Sequence, residues 1–122
     1  MRIATKSSGA AKRDIRLERN GDFEETLRFV NSDNEPIDLT EAIIVARAKR
    51  RAGDGPVLAS AVITPIELDD GSFSYRFRGS DFDGYGSVYA ETVTDWDMLI
   101  TYPSGVRQVY LKGHIFLTPE VS

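Results

Sequence analysis

His114 is the chain's whole supply of imidazole, and the chain has no cysteine. A Ser-His-Asp triad would have to be built on that residue, and a zinc site of several histidines or of thiolates cannot be assembled. His114 stands between Gly113 and Ile115 in an extended run, a setting for a sheet-face histidine rather than a general base held by an oriented partner. Asp81-Phe82-Asp83-Gly84 has the opening of a calcium loop, with alternate carboxylates and a glycine for the turn. The closing glutamate is missing, because the twelfth position counted from Asp81 is Thr92. Asp and Gly are also ordinary turn formers, which is the simpler account. Gly84-Tyr85-Gly86 lacks the third glycine and the strand–helix setting of a dinucleotide fingerprint. The expectation is no catalytic residue, no cofactor and no metal, hence a protein that is not an enzyme.

The remaining candidates are suited to contact. Arg47, Lys49, Arg50 and Arg51 form the densest positive stretch, with Arg47 and Lys49 on one face of a strand and the last two opening a loop. Arg2, Lys6, Lys12 and Arg13 make the N-terminus basic, whereas residues 67–97 carry eight Asp and Glu against Arg76 and Arg78. A positive tail on an acidic body points to head-to-tail or neighbour contacts in an assembly, with solvated polar surface as the plain alternative. Phe82, Tyr85 and Tyr89 crowd a glycine-rich segment that reads as an interface patch, or else as a cover folded over the core.

Composition limits the partners. A net charge of −4 argues against nucleic acid, since phosphate neutralisation needs a basic surface. The longest apolar run, Ala42 to Ala46, is far short of the ~20 residues of a membrane span, and no apolar stretch of a secretory signal is seen near the start. At 122 residues the chain suits one domain able to bury its own core.

The elements that must position these residues are strands. Trp96, Met98 and Ile100 alternate with Asp95, Asp97 and Thr101, which predicts a strand with one buried face and Trp96 as a packing anchor. Tyr102-Pro103-Ser104-Gly105 is a reverse turn, and runs at 106–111 and 114–117, separated by Gly113, complete a predicted three-strand meander. Upstream, strands are expected at 14–18, 23–30, 41–50, 57–64 and 72–77, with Asn20-Gly21 as a tight turn and a brief extended piece at 37–40. Residues 41–50 mix helix-favouring alanines with Ile43-Ile44-Val45, and strand is preferred because a lone helix would lack a second layer. Glu25 falls on the apolar face of its strand, an inconsistency within the pattern. Short strands with regular turn signals give an all-β, Ig-like antiparallel sandwich of about seven to nine strands. A flexible arm is expected over residues 1–12 and a single domain over 13–122.

Gly21-Asp22-Phe23 opening a strand to Phe29, then Asn34-Glu35-Pro36-Ile37-Asp38-Leu39-Thr40, resembles the start of small tailed-phage and prophage virion proteins. Trp96-Asp97-Met98-Leu99-Ile100-Thr101, Pro103-Ser104-Gly105, Leu111-Lys112-Gly113 and the final Pro119-Glu120-Val121-Ser122 are similar to that group's ending. The likeness is to Ig-like domains such as the N-terminal domain of phage baseplate upper proteins, over most of residues 13 to 122. Glu41-Ala42 and a longer insert between Asp81 and Trp96 depart from the pattern. The resemblance implies a structural protein or adaptor of the virion, at the tail tip or baseplate. Its partners would be other virion proteins (tail, baseplate or fibre subunits), met in multiple copies without nucleic acid or membrane. It carries over no catalytic residue. A capsid decoration or neck protein is the alternative within that class, and a carbohydrate-binding module using Tyr85 and Tyr89 is the alternative outside it.

Overall fold

The alternation around Trp96 holds over a whole strand. In the computed structural model, which describes residues 2–4 (as backbone), 11–50, 56–87 and 89–119, residues Thr94, Trp96, Met98 and Ile100 are buried in turn. Ten strands follow in chain order: β1 Arg2–Ala4, β2 Ala11–Lys12, β3 Ile15–Glu18, β4 Asp22–Val30, β5 Ile43–Lys49, β6 Val57–Ser60, β7 Val62–Glu67, β8 Ser72–Arg78, β9 Thr92–Thr101 and β10 Arg107–Thr118. Single 3-10 turns lie at Leu68–Asp70 and Gly79–Phe82, and no α-helix occurs among the described residues.

The strands form two sheets. One has the order β1-β4-β8-β7, and the other has six strands in the order β2-β10-β9-β5-β6 with β3 also on β10. In the first sheet β4, β8 and β7 take the places B, E and D of an immunoglobulin sandwich, with β1 added in parallel beside β4, and the second sheet takes A′, G, F, C and C′. The protein is therefore an Ig-like β-sandwich. Inner residues of both sheets meet in one core, in which Tyr75 stacks on Trp96 at 5.5 Å and Phe29 lies 5.1 Å from Tyr110.

Several expectations are corrected. The strand count exceeds seven to nine because the predicted arm contributes β1, in parallel on β4, and β2, in parallel on β10. The predicted strand 57–64 is two strands in different sheets: the chain crosses at Ala61, whose N–H donates to the Ala46 carbonyl at 2.9 Å. Pro65 lies inside β7 rather than ending it, and β7 is a sheet edge, where a missing N–H costs no ladder bond. Residues 37–40 are not a strand, although Leu39 is buried, and the neighbouring Pro36 makes one isolated bridge to Val30. The preference for strand over 41–50 holds as β5.

The meander has two strands rather than three. β10 runs unbroken through Gly113, with a bulge between Val109 and Leu111 that lets Tyr110 and Leu111 both point inward. Gly113 is needed for a close approach: a Cβ there would overlap the Arg13 carbonyl at the break between β2 and β3. That carbonyl accepts the Trp96 indole N–H at 2.7 Å. Gly113→Ala is therefore expected to lower stability by about 1–3 kcal/mol, the usual range for overpacking. Urea unfolding checks it, and an unchanged midpoint would show that the segment moves aside freely.

Glu25 is explained by partners from elsewhere in the chain. Its carboxylate accepts from the Arg13 guanidinium and, at 2.9 Å, from the Tyr75 hydroxyl. Burial, and then the negative charge of Glu25, raise the Tyr75 phenol far above its ordinary value. The unfolded chain releases this proton near pH 10, whereas the folded chain keeps it, so the stability is fully present below about pH 10 and lost above it. This group is expected to contribute a fall of about 1.4 kcal/mol per pH unit on that limb. Urea titrations from about pH 9 upward check it: Tyr75→Phe is expected to remove that share of the slope and to leave the share of Tyr102, whose phenol burial also raises above its ordinary value.

Candidate docking surface

Register sets which side chains share the outer face of the six-stranded sheet. Arg47 of β5 lies opposite Asp97 of β9, which lies opposite Lys112 of β10, and Lys112 is paired with Lys12 of β2. The next row is Lys49, Asp95 and His114. Asp97 is thus flanked by cations on both sides, and Asp95 lies between Lys49 and the His114 imidazole. His114 Nδ1 sits 2.7 Å from Asp95 Oδ1, and the Arg47 guanidinium is 4.0 Å from Asp97. Arg47 Nε and Asp97 Oδ1 have no hydrogen-bond partner, so this row is incompletely satisfied.

Apolar bands border the charged rows. Val45, Leu99 and Val109 form one row across three strands, extended by Ile43, which is 62% exposed. On the other side Val93 lies opposite Phe116, whose ring is covered by the Arg16 guanidinium at 5.2 Å. Cations predominate over the whole face. Lys12, Arg16, Arg47, Lys49, Arg107 and Lys112 stand against Asp95, Asp97, Glu18, the edge residue Asp14 and Glu91, which pairs with Arg16, an excess of one positive charge on a chain of net −4.

The compensating negative charge is concentrated at one end of the sandwich. Loop 31–41 is tied to the Leu68–Asp70 turn by Leu39 N–H to the Leu68 carbonyl at 2.7 Å, with Phe29 N–H donating to Gly71 and Ile37 N–H to Phe29. Asp33, Glu35, Asp38, Glu41, Glu67 and Asp69 are exposed there, and loops 31–41 and 67–71 contain no Lys or Arg. Arg28, on the adjoining strand, is engaged by Asp70 through bonds of 3.0 and 3.1 Å, which raise the guanidinium pKa and lower that of the carboxyl. Asp38 is held below the usual carboxylate range by its bonds to Thr40. No group of three or more His, Cys, Asp or Glu among the described residues is placed to hold a metal.

The residues singled out from the sequence are divided by the structure. Arg47 and Lys49 lie on the outer sheet face, and Lys12 is exposed on its edge strand. Arg13 is not free for a partner, since it is committed to Glu25. Arg50 lies over the Tyr85 ring at 5.1 Å. Arg2 belongs to β1, and Lys6 and Arg51 lie outside the described residues. Within the aromatic insert Phe82 is corrected as an interface residue: it is 1% exposed and packs on Phe77 inside the core. Tyr85 is half-buried, its hydroxyl donating to the Val93 carbonyl at 3.3 Å, whereas Tyr89 is 89% exposed. Asp81 is engaged by Arg78 at 3.4 Å.

Arg19 has a role the sequence reading missed. It is 3% exposed, and its guanidinium donates to the Phe82 carbonyl at 3.4 Å, the Tyr85 carbonyl at 2.6 Å and Thr92 Oγ1 at 3.1 Å. It pins the insert to the sandwich. Its place among the N-terminal cations gave no sign of this. The signal for the Asp95–Lys112 rows was present, as the polar half of the alternation in β9 and β10, but the pairing of one strand with another was needed to read it.

A scan of the chain against protein-family models finds no match. The chain is 32% identical over 91 residues to 2-oxoisovalerate dehydrogenase subunit alpha of Bacillus subtilis (strain 168), a match covering 72% of this chain and 23% of that protein. It thus spans under a quarter of that relative's length. Among solved structures, the bradyzoite-specific antigen BSR4 from Toxoplasma gondii aligns over 99% of this chain and 48% of its own, with a TM-score of 0.43 and 10% identity. A 2,6-sialyltransferase from Photobacterium sp. JT-ISH-224 aligns over 94% of this chain and 19% of its own, with a TM-score of 0.34 and 12% identity.

Proposed function

We propose that the chain is a non-enzymatic docking module that acts through the outer face of its six-stranded sheet, as a structural protein of a tailed-phage virion. The observation that carries the docking reading is the banded face itself, with two charged rows between apolar rows and Ile43 62% exposed beside them. Exposed apolar side chains beside charged rows offer a protein partner both area to bury and charges to pair. The phage assignment rests on the order and spacing of the turn and strand motifs in the sequence. A place at the tail tip or baseplate, joining the tail to receptor-binding fibres, accords with many weak contacts made additive by symmetry.

Imaging the purified particle tests the reading: this chain is expected at the tail tip, with the β5-β9-β10 face against a neighbouring subunit. Density on the capsid or at the neck would favour the decoration or neck role instead. An infective particle with a normal tail but without the chain would overturn both. For a carbohydrate-binding module the support is thin, because an aromatic platform needs exposed rings and Tyr85 is half-buried beneath Arg50.

The partial identity to a dehydrogenase subunit favours a second reading, in which this chain shares that protein's activity. Assaying the purified chain for 2-oxoisovalerate dehydrogenase activity decides it, and turnover above background would overturn the non-enzymatic reading.

A further inference from the structure

The acidic end and the cationic face lie on different parts of one surface, and each has the charge the other lacks. We propose that one occupant of the outer sheet face is a second copy of this chain, docking its acidic end onto the face. The inference rests on reading that face as a docking surface, and it names the partner. Lys12, Arg107 and Lys112 are exposed on the face and make no ion pair among the described residues, so they are available to an incoming carboxylate. Asp33, Glu41, Glu67 and Asp69 are exposed at the acidic end and likewise make no ion pair among the described residues.

Face-to-face pairing of two copies is less favourable. With β9 opposite β9, Asp95 and Asp97 of the two copies would confront each other, and like charges in register repel. End-to-face docking places carboxylates against cations. Because the two patches differ, the contact is heterologous, so each added copy presents another face and another end, and the assembly grows into a ring or a filament. The charges are exposed, so the contact is weak singly and sensitive to salt.

Sedimentation velocity on the purified full chain tests this over a concentration series at about 20 mM and at about 0.5 M salt, where the screening lengths are roughly 20 Å and 4 Å. The average mass is expected to rise with concentration at low salt and to return to monomer at high salt. Lys12→Glu with Lys112→Glu, which reverses the face, is expected to weaken association by roughly tenfold or more. Asp33→Lys with Asp69→Lys, which reverses the end, is expected to do the same. Mixing the two double variants restores opposite charges at both contacts and is expected to recover association. Circular dichroism and melting of each variant establish that it is folded. A wild type that stays monomeric at low salt, or a mixture that fails to associate, overturns the self-contact. Either result leaves the docking reading to be decided by where the chain sits in the particle.

Discussion

Trp96→Ala is expected to lower stability by about 3–5 kcal/mol, a large part of the 5–15 kcal/mol that holds a typical domain folded. Two losses combine. The indole is 3% exposed, stacked on Tyr75 at an interplanar angle of 14° and set edge-on to Phe77 at 5.8 Å, so its removal leaves a cavity between the sheets. The Arg13 carbonyl also loses the indole N–H that reaches it at 2.7 Å, and an unsatisfied buried acceptor costs about 1–3 kcal/mol. Trp96→Phe separates the two, keeping most of the apolar volume while removing the donor. Chemical denaturation of the three proteins makes the measurement. Equal stability of the wild type and Trp96→Ala would mean that Trp96 is not the anchor between the edge strands and the core.

Arg19→Met is expected to release the insert while leaving the sandwich folded. A guanidinium that is 3% exposed and has no carboxylate partner among the described residues is costly to bury, and its Nε lacks a hydrogen bond. It is retained because three oxygens depend on it: the carbonyls of Phe82 and Tyr85 and the Thr92 hydroxyl. Bonds from a charged donor contribute about 1.5–3 kcal/mol each, and the burial cost offsets much of their sum. A net loss of about 2 kcal/mol is expected, concentrated in residues 83–92. Gly86, at φ +70° and with no room for a Cβ beside Thr92, shows how closely the chain passes there. Hydrogen exchange gives the regional readout, with faster exchange over 83–92 and unchanged protection in β9 and β10. Uniform acceleration throughout would instead make Arg19 a determinant of the whole fold.

Much of the fold was legible because strand burial has a period of two residues. Phe73, Tyr75 and Phe77, and likewise Trp96, Met98 and Ile100, are buried where alternation places them. The errors fall where a strand's environment changes along its length. Gly113 looked like a break because glycine usually weakens strands, yet in β10 it permits the approach of the Arg13 carbonyl. Residues 57–64 looked like one strand ended by Pro65, although the chain passes from one sheet to the other at Ala61. Phe82 looked like part of an exposed patch because it lies among glycines and aspartates, but the 3-10 turn at 79–82 directs it into the core.

The sequence by itself determined that this is an all-β sandwich with Trp96 in its core, because local alternation and turn chemistry depend on near neighbours in the chain. It also supplied the charges, with cations at the N-terminus and at 47–51 and carboxylates downstream. Only the tertiary structure decided what those charges face. Pairing β9 with β5 and β10 sets Asp97 between Arg47 and Lys112 and Asp95 between Lys49 and His114, and joining loop 31–41 to the turn at 68–70 gathers carboxylates at one end. Arg13 and Arg19, indistinguishable from the other basic residues in the sequence, became an internal ion pair with Glu25 and a buried clamp on the insert. The physical reason is distance: Arg19 meets Tyr85 across 66 positions and Arg13 meets Glu25 across 12, and no local pattern records such contacts.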